Sequence, residues 1–400
     1  MPSPGLLQGR GHRALDLLNF FVADAQTGFG AFVAVYLTTH KWTQVEIGFA
    51  LTLGTMTAVV SQLPAGALVD AMRNKRLAAA GGVAGIMVAA LLLAVWPVTL
   101  PVLVAQVLHA FASCILTPAI AAISLLLAGH DALGERLGRN ARFASIGNGL
   151  AAAVMGGLGG YFSSRVVFVL TAVLCVPALI SLLGVGEGKH AVQQTTTRLL
   201  DWTGLRRLFS DRRLLIFAVC VALFHLSNAA MLPLAGAAVT MSSGDFANVI
   251  IAACIVVPQA VVALLSPWVG RTAERIGRRR LLMLGWAALP VRGVLLAILP
   301  GGWPLVMAQA VSGISAAVFG VMLPLLAADL TRGTAHFNLC MGVLGLAMYL
   351  GAAISTTMAG SISDWAGMAA AFGVLSLTGL LGTILVGFVM PETRTPRAPE

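Results

Sequence analysis

The sequence predicts an all-α membrane protein of 12 transmembrane helices in two pseudo-symmetric six-helix bundles. Three observations carry that expectation: a composition poor in charge, a count of separable apolar runs, and a set of residues that recurs half a chain later. Of 400 residues, 58% are hydrophobic and 10% charged, with a mean hydropathy of +0.91. A soluble globular chain carries about 25% charged residues, so this one is expected in a lipid bilayer. The net charge of +10 does not indicate nucleic-acid binding, because the basic residues fall in short turns between apolar runs and not on one face of a soluble domain. Cys114, Cys175, Cys220, Cys254 and Cys340 all lie inside apolar runs with no CxxC pair, and read as packing residues. Arg10 and Arg13 precede an apolar run too long for a signal-peptide core and interrupted by Asp16 and Asp24, so the first span is expected to stay.

At about 20 residues per crossing, the runs fall at 14–39, 46–69, 77–97, 101–128, 141–162 and 166–185, then 214–239, 247–269, 281–300, 303–328, 336–361 and 367–390. The polar interval 186–213 holds Lys189, Arg198 and a Gln-Gln-Thr-Thr-Thr run. It divides the chain into an N-terminal bundle (1–185), a cytoplasmic linker and a C-terminal bundle (214–400), with an amphipathic surface helix expected around Leu199–Phe209. With a cytoplasmic N-terminus, 22 of the 25 basic residues lie inside, leaving Lys41 and Arg165 outside and Arg292 within a span. The positive-inside rule therefore places both termini in the cytoplasm, and the expected location is the cytoplasmic (inner) membrane.

The two halves match residue by residue. Gly66, Asp70, Arg73, Lys75 and Arg76 precede by 204 positions a stronger copy, Gly270-Arg-Thr-Ala-Glu274-Arg275-Ile-Gly277-Arg278-Arg279-Arg280, which reads as a short cationic turn. Phe20 to Asp24 aligns with Phe224 to Asn228 at the same offset, and Pro101 with Ala105-Gln106 aligns with Pro304 and Ala308-Gln309 at 203. A glycine, three residues, an acid and a basic cluster, given twice, resembles the loop signature of the major facilitator superfamily between its second and third and its eighth and ninth helices. The resemblance covers essentially the whole chain. It implies that family's fold, and it makes Asp70 and Glu274 charge locks set against the positive end of a facing helix or a nearby arginine. The first copy departs from the pattern at Ala71 and Arg73, so the second is expected to be the stronger lock.

Small residues are expected to bring backbones close: Gly156, Gly157, Gly159 and Gly160 in the fifth span, and Gly342, Gly345, Gly351 and Gly360 in the eleventh. The fifth-span glycines resemble the antiporter signature of drug-exporting facilitators without its proline, a weak hint of export.

Polar groups at bilayer depth carry most of the functional information, since an ionised one costs roughly 2.5 to 3.5 kcal/mol even on lenient scales. Asp24 reads as a proton-coupling or cation-recognising carboxyl, or as a structural acid tied to a neighbouring helix. His225 and Asn228 occupy the matching level of the seventh span, and a histidine changes charge near neutral pH. Gln106 and His109 in the fourth span, and Gln309 and Ser312 in the tenth, are equivalent pairs. The resemblance makes spans 1, 4, 7 and 10 the lining of the substrate cavity. Asn148 in the fifth span is a further cavity candidate, Asn19 reads as a helix-to-helix bond, and Asp329, Thr331 and Arg332 at the end of the tenth span read as a gate pairing with the basic loops or as a solvated helix end. Arg292, on a span that the resemblance makes peripheral, is expected to snorkel to the headgroups or anchor a neighbour.

No nucleotide-binding, metal-ligand or nucleophile motif appears, so neither a cofactor nor an enzyme activity is expected. The sequence reads as a secondary active transporter, expected as a monomer, with protons, a small-molecule substrate and lipid as its partners. Parallel repeats place the substrate near the midplane at their interface, reached by alternating access. Proton-driven export of a drug or metabolite is the first reading and proton-symport uptake the second. A non-transporting receptor and a membrane-embedded enzyme are the readings from other classes.

Overall fold

The computed structural model describes residues 4–29, 31–186, 206, 208–235, 247–299 and 302–393. Most of the expected linker with Lys189 and Arg198, most of the surface helix at 199–209, and the terminal Arg394 and Arg397 lie outside the described residues.

Every named element is helical: α1 (Pro4–Thr27), α2 (Ala31–Thr39), α3 (Gln44–Ala71), α4 (Lys75–Val95), α5 (Thr99–Ala128), α6 (Leu133–Tyr161), α7 (Arg165–Gly184), α8 (Arg212–Asn228), α9 (Ala247–Ile276), α10 (Arg278–Ile298), α11 (Gly302–Leu330), α12 (Phe337–Ala366) and α13 (Met368–Phe388). Local chemistry sets several starts. Thr43 and Glu46 form a reciprocal cap on α3, and Asn74 and Asp211 accept backbone N–H groups at the starts of α4 and α8. Eleven spans among the described residues are long and apolar enough to cross a membrane. The expected fifth span belongs to α6, which is helical throughout but is not among those eleven; its apolar stretch is diluted by Asn148 and a run of glycines.

The cationic turn expected over 270–280 is mostly helix. α9 continues through Ile276 and α10 starts at Arg278, because alanine, glutamate and arginine favour the helix. The break is Gly277 alone, whose φ of +96° is open to glycine and strained for other residues.

The described residues group into two compact units. Unit 1 comprises 1–129, 142–201 and 333–342; unit 2 comprises 130–141, 202–332 and 343–400. Within unit 1, α1 packs on α7, α3 on α5, and α4 on both α5 and α7. Within unit 2 the same pattern recurs: α8 packs on α13, α9 on α11, and α10 on both α11 and α13. The duplication read in the sequence is therefore a duplication of packing. All five cysteines are buried, and none is joined in a disulfide among the described residues.

The expected close-packing glycines divide. Gly342 and Gly351 sit against the carbonyl oxygens of Gln62 and Ala222, whereas Gly156, Gly157 and Gly360 have no heavy atom within 4 Å of a Cβ placed on them. In the fifth span it is Gly159 that faces a neighbouring helix, where an added Cβ would lie 3.2 Å from Val167 Cγ2 of α7.

Candidate functional site

In unit 1 the polar groups gather where the first span breaks. α1 ends at Thr27, and Gly28 is pressed so close to Thr171 of α7 that no side chain fits. Phe29 then stacks its ring on His109, with centroids 3.9 Å apart and planes 6° from parallel. Thr27 Oγ1 lies 2.9 Å from Asn148 Oδ1 on α6. One residue earlier on α6 is Gly147, where an added Cβ would lie 3.1 Å from Asp24 Oδ1. Asp24 is 3% exposed, and its Oδ1 has no hydrogen-bond partner among the described residues. Gln106 is also buried, with its Nε2 unpartnered. Asn19 does not join helices as expected: its Nδ2 donates to Leu15 O at 2.7 Å, one turn back on its own helix.

In unit 2 the seventh span breaks at the matching level. α8 ends at Asn228, and the Ala230 N–H freed by the break donates to Ser355 Oγ of α12 at 3.1 Å. His225 lies edge-on to Phe319 at 4.9 Å, with Nδ1 3.2 Å from Val221 O. Asn228 and Gln309 converge on a residue that the sequence reading set apart. Arg292 Nη1 donates to Asn228 Oδ1 at 2.6 Å and Nη2 to Gln309 Oε1 at 3.1 Å. Arg292 is 2% exposed, so it does not snorkel; of the two expectations, it meets the one that has it anchor its neighbours. The signal available in the sequence was a mid-span cation with no acid near it, which has to find polar partners elsewhere in its bundle.

The loop signatures form a second constellation. In unit 1, Asp70 Oδ1 accepts from Asn338 N (3.0 Å) and Asn338 Nδ2 (2.6 Å), and Oδ2 accepts from Leu339 N (2.8 Å). These N–H groups open α12, where the helix dipole favours an anion. In unit 2, Glu274 Oε1 accepts from Gly134 N in the first turn of α6 at 3.2 Å. Glu274 Oε2 pairs with Arg278 at 3.2 Å, and Arg278 Nε reaches Asp329 Oδ2 at 3.0 Å. The copy that departs further from the pattern thus makes the fuller set of bonds to a helix start.

The glycines of the signature explain the approach. Gly66 sits against the carbonyl of Asn338, and Gly270 against that of Gly134, leaving no room for a Cβ. Gly342 abuts Gln62 O, and Gly138 abuts Ser266 O. Each partner in the second set is the partner in the first displaced by 204 positions. Arg73 is exposed, whereas Asp329 is committed to Arg278 and to Thr393 Oγ1 at 3.2 Å. Arg275 and Arg332 are exposed at the same ends. Among the described residues, no group of three or more His, Cys, Asp or Glu is placed to hold a metal ion.

A duplicated all-helical bundle with broken spans and buried polar groups beside the breaks defines a polytopic transport protein. Residues 15–257 and 220–400 match the Major Facilitator Superfamily, and the chain belongs to that family. Two Mycobacterium tuberculosis proteins, from strains CDC 1551 and H37Rv and each described as an uncharacterized MFS-type transporter, are 35% identical over 391 residues, covering 95% of this chain and 93% of their own. In fold the chain is similar to the Escherichia coli fucose:proton symporter FucP, with a TM-score of 0.77, 15% identity, and coverage of 94% of this chain and 98% of that one. It is also similar to the proton:xylose symporter XylE, with a TM-score of 0.73, 13% identity and 98% coverage of both chains.

Proposed function

We propose that this transporter couples proton movement through Asp24 to the movement of a small molecule across the cytoplasmic membrane by alternating access, as a monomer with both termini inside. The observation that carries the reading is the Asp24 carboxyl, 3% exposed with an unpartnered Oδ1 beside a helix break. An ionised carboxylate without hydrogen bonds is costly to bury. A proton or a bound substrate group removes that cost, so the two can take turns at the same atom. His109, Gln106 and Asn148 on the unit 1 side, and His225 on the unit 2 side, supply the polar lining. Asp70 and Glu274 act as the locks that release and re-form as access alternates.

Export of a drug or metabolite is the first reading. Uptake by proton symport is the second, favoured by the chemistry of FucP and XylE, whose fold the chain shares. The test uses purified protein in proteoliposomes loaded with a pH-sensitive dye, screened with small solutes added on either side. Wild type is expected to show solute-dependent proton flux whose direction separates antiport from symport. Asp24→Asn is expected to abolish that flux while still binding the solute. A variant with undiminished, pH-dependent coupling would exclude Asp24 as the coupling group.

A further inference from the structure

The unit 2 cluster holds two buried donors, Arg292 Nε and Gln309 Nε2, that no acceptor among the described residues receives. Asn228 and Gln309 each turn their amide oxygen to the Arg292 guanidinium, so each is left with its NH₂ facing elsewhere. Arg292 Nε and Gln309 Nε2 are buried and have no hydrogen-bond partner, and they belong to side chains already bonded to each other. No carboxylate among the described residues pairs with Arg292. The cation sits on a held segment: Ser376 Oγ of α13 donates to Pro290 O at 2.8 Å, and an added Cβ on Gly293 would meet Ser376 Cβ at 2.7 Å. A fixed, desolvated positive charge ringed by donors lacks one component, an oxyanion.

We infer that Arg292, with Asn228 and Gln309, is the receptor for an anionic oxygen group on the transported solute: a carboxylate, sulfonate or phosphate. This rests on the transport reading above and narrows it to solutes that carry such a group. A role confined to joining α10 to α8 and α11 would not call for a charge, since a neutral amide could make the same two bonds without the cost of burying an ion.

The test is thermal unfolding of the purified full chain in detergent at constant chloride, titrated with benzoate, methanesulfonate or inorganic phosphate, and with benzamide as the uncharged counterpart of benzoate. At least one anion is expected to raise the midpoint saturably, with benzamide inert. Arg292→Gln is expected to weaken half-saturation about tenfold or more. Gln309→Glu keeps the cation and gives it a tethered carboxylate. It should match or exceed wild type in unliganded midpoint while losing the anion response, which keeps the idea testable if Arg292→Gln does not fold. The inference is overturned if no anion shifts wild type, if benzamide acts like benzoate, or if Gln309→Glu responds as wild type does. In the proteoliposome screen, proton flux evoked solely by neutral or cationic solutes would overturn it and leave transport standing. Anion binding that depends on Arg292, with no flux for any solute, would leave the anion site standing and remove the transport reading.

Discussion

Asp70 shows how one carboxylate can hold a helix start. It takes two backbone N–H groups and a side-chain amide at the opening of α12, whereas Glu274 takes a single N–H of α6 at 3.2 Å and shares its other oxygen with Arg278. Losing a helix cap costs about 0.5–2 kcal/mol, so Asp70→Ala is expected near the top of that range and Glu274→Ala below it. Thermal unfolding of the two variants side by side checks the order, and the reverse order would mean that the better-matching copy is the stronger lock after all. The sequence showed both acids through their spacing from a glycine, but not their bonding, because the partners lie 140 and 268 positions away. The partners of Arg292 went unread for a related reason. Its partners Asn228 and Gln309 were each singled out, yet a mid-span position does not say which way a side chain points. The expectation that it would anchor a neighbour named no partner, and the alternative, snorkelling, is excluded by its burial.

At the scale of the helix, α12 carries two glycines with opposite expected effects. Gly342 faces a backbone carbonyl of Gln62, which cannot rotate away, while Gly360 faces open space. Glycine within a helix costs about 1 kcal/mol relative to alanine. Gly360→Ala is therefore expected to be neutral or slightly stabilising, and Gly342→Ala to destabilise by pushing the start of α12 off α3. Because that shift would also break the Asp70 bonds, Gly342→Ala and Asp70→Ala should be less than additive in a double-mutant cycle, and full additivity would refute the shared cause. Span existence was readable from apolar length alone. Span ends were not, and α9 ran seven residues past its expected limit of 269 because charged residues at a membrane face are still good helix formers. The breaks in the first and seventh spans were invisible to hydropathy, since each run still reads as one apolar span across its break.

Across the whole molecule, the offset of 204 read from two short alignments, with a third at 203, reappears in four backbone contacts and in the packing order of the two units. A duplicated sequence was enough to give the family. It was not enough to give the compact units, which exchange the segments 130–141 and 333–342 relative to a simple division at the linker. Those short stretches are the first turns of α6 and α12 and the residues leading into them, where Glu274 and Asp70 accept their hydrogen bonds. Nothing local marks them, because their neighbours are chosen by contacts with residues far along the chain.

The burial of every cysteine carries a practical consequence for spectroscopy. Cys114 and Cys254 are 5% and 2% exposed, and Cys175, Cys220 and Cys340 are 0%, so the natural chain already serves as a thiol-silent background. Wild type in detergent should take up essentially no maleimide. A single thiol introduced at exposed Arg73 should label to completion, giving a clean attachment point for a fluorophore or spin label without replacing any native residue.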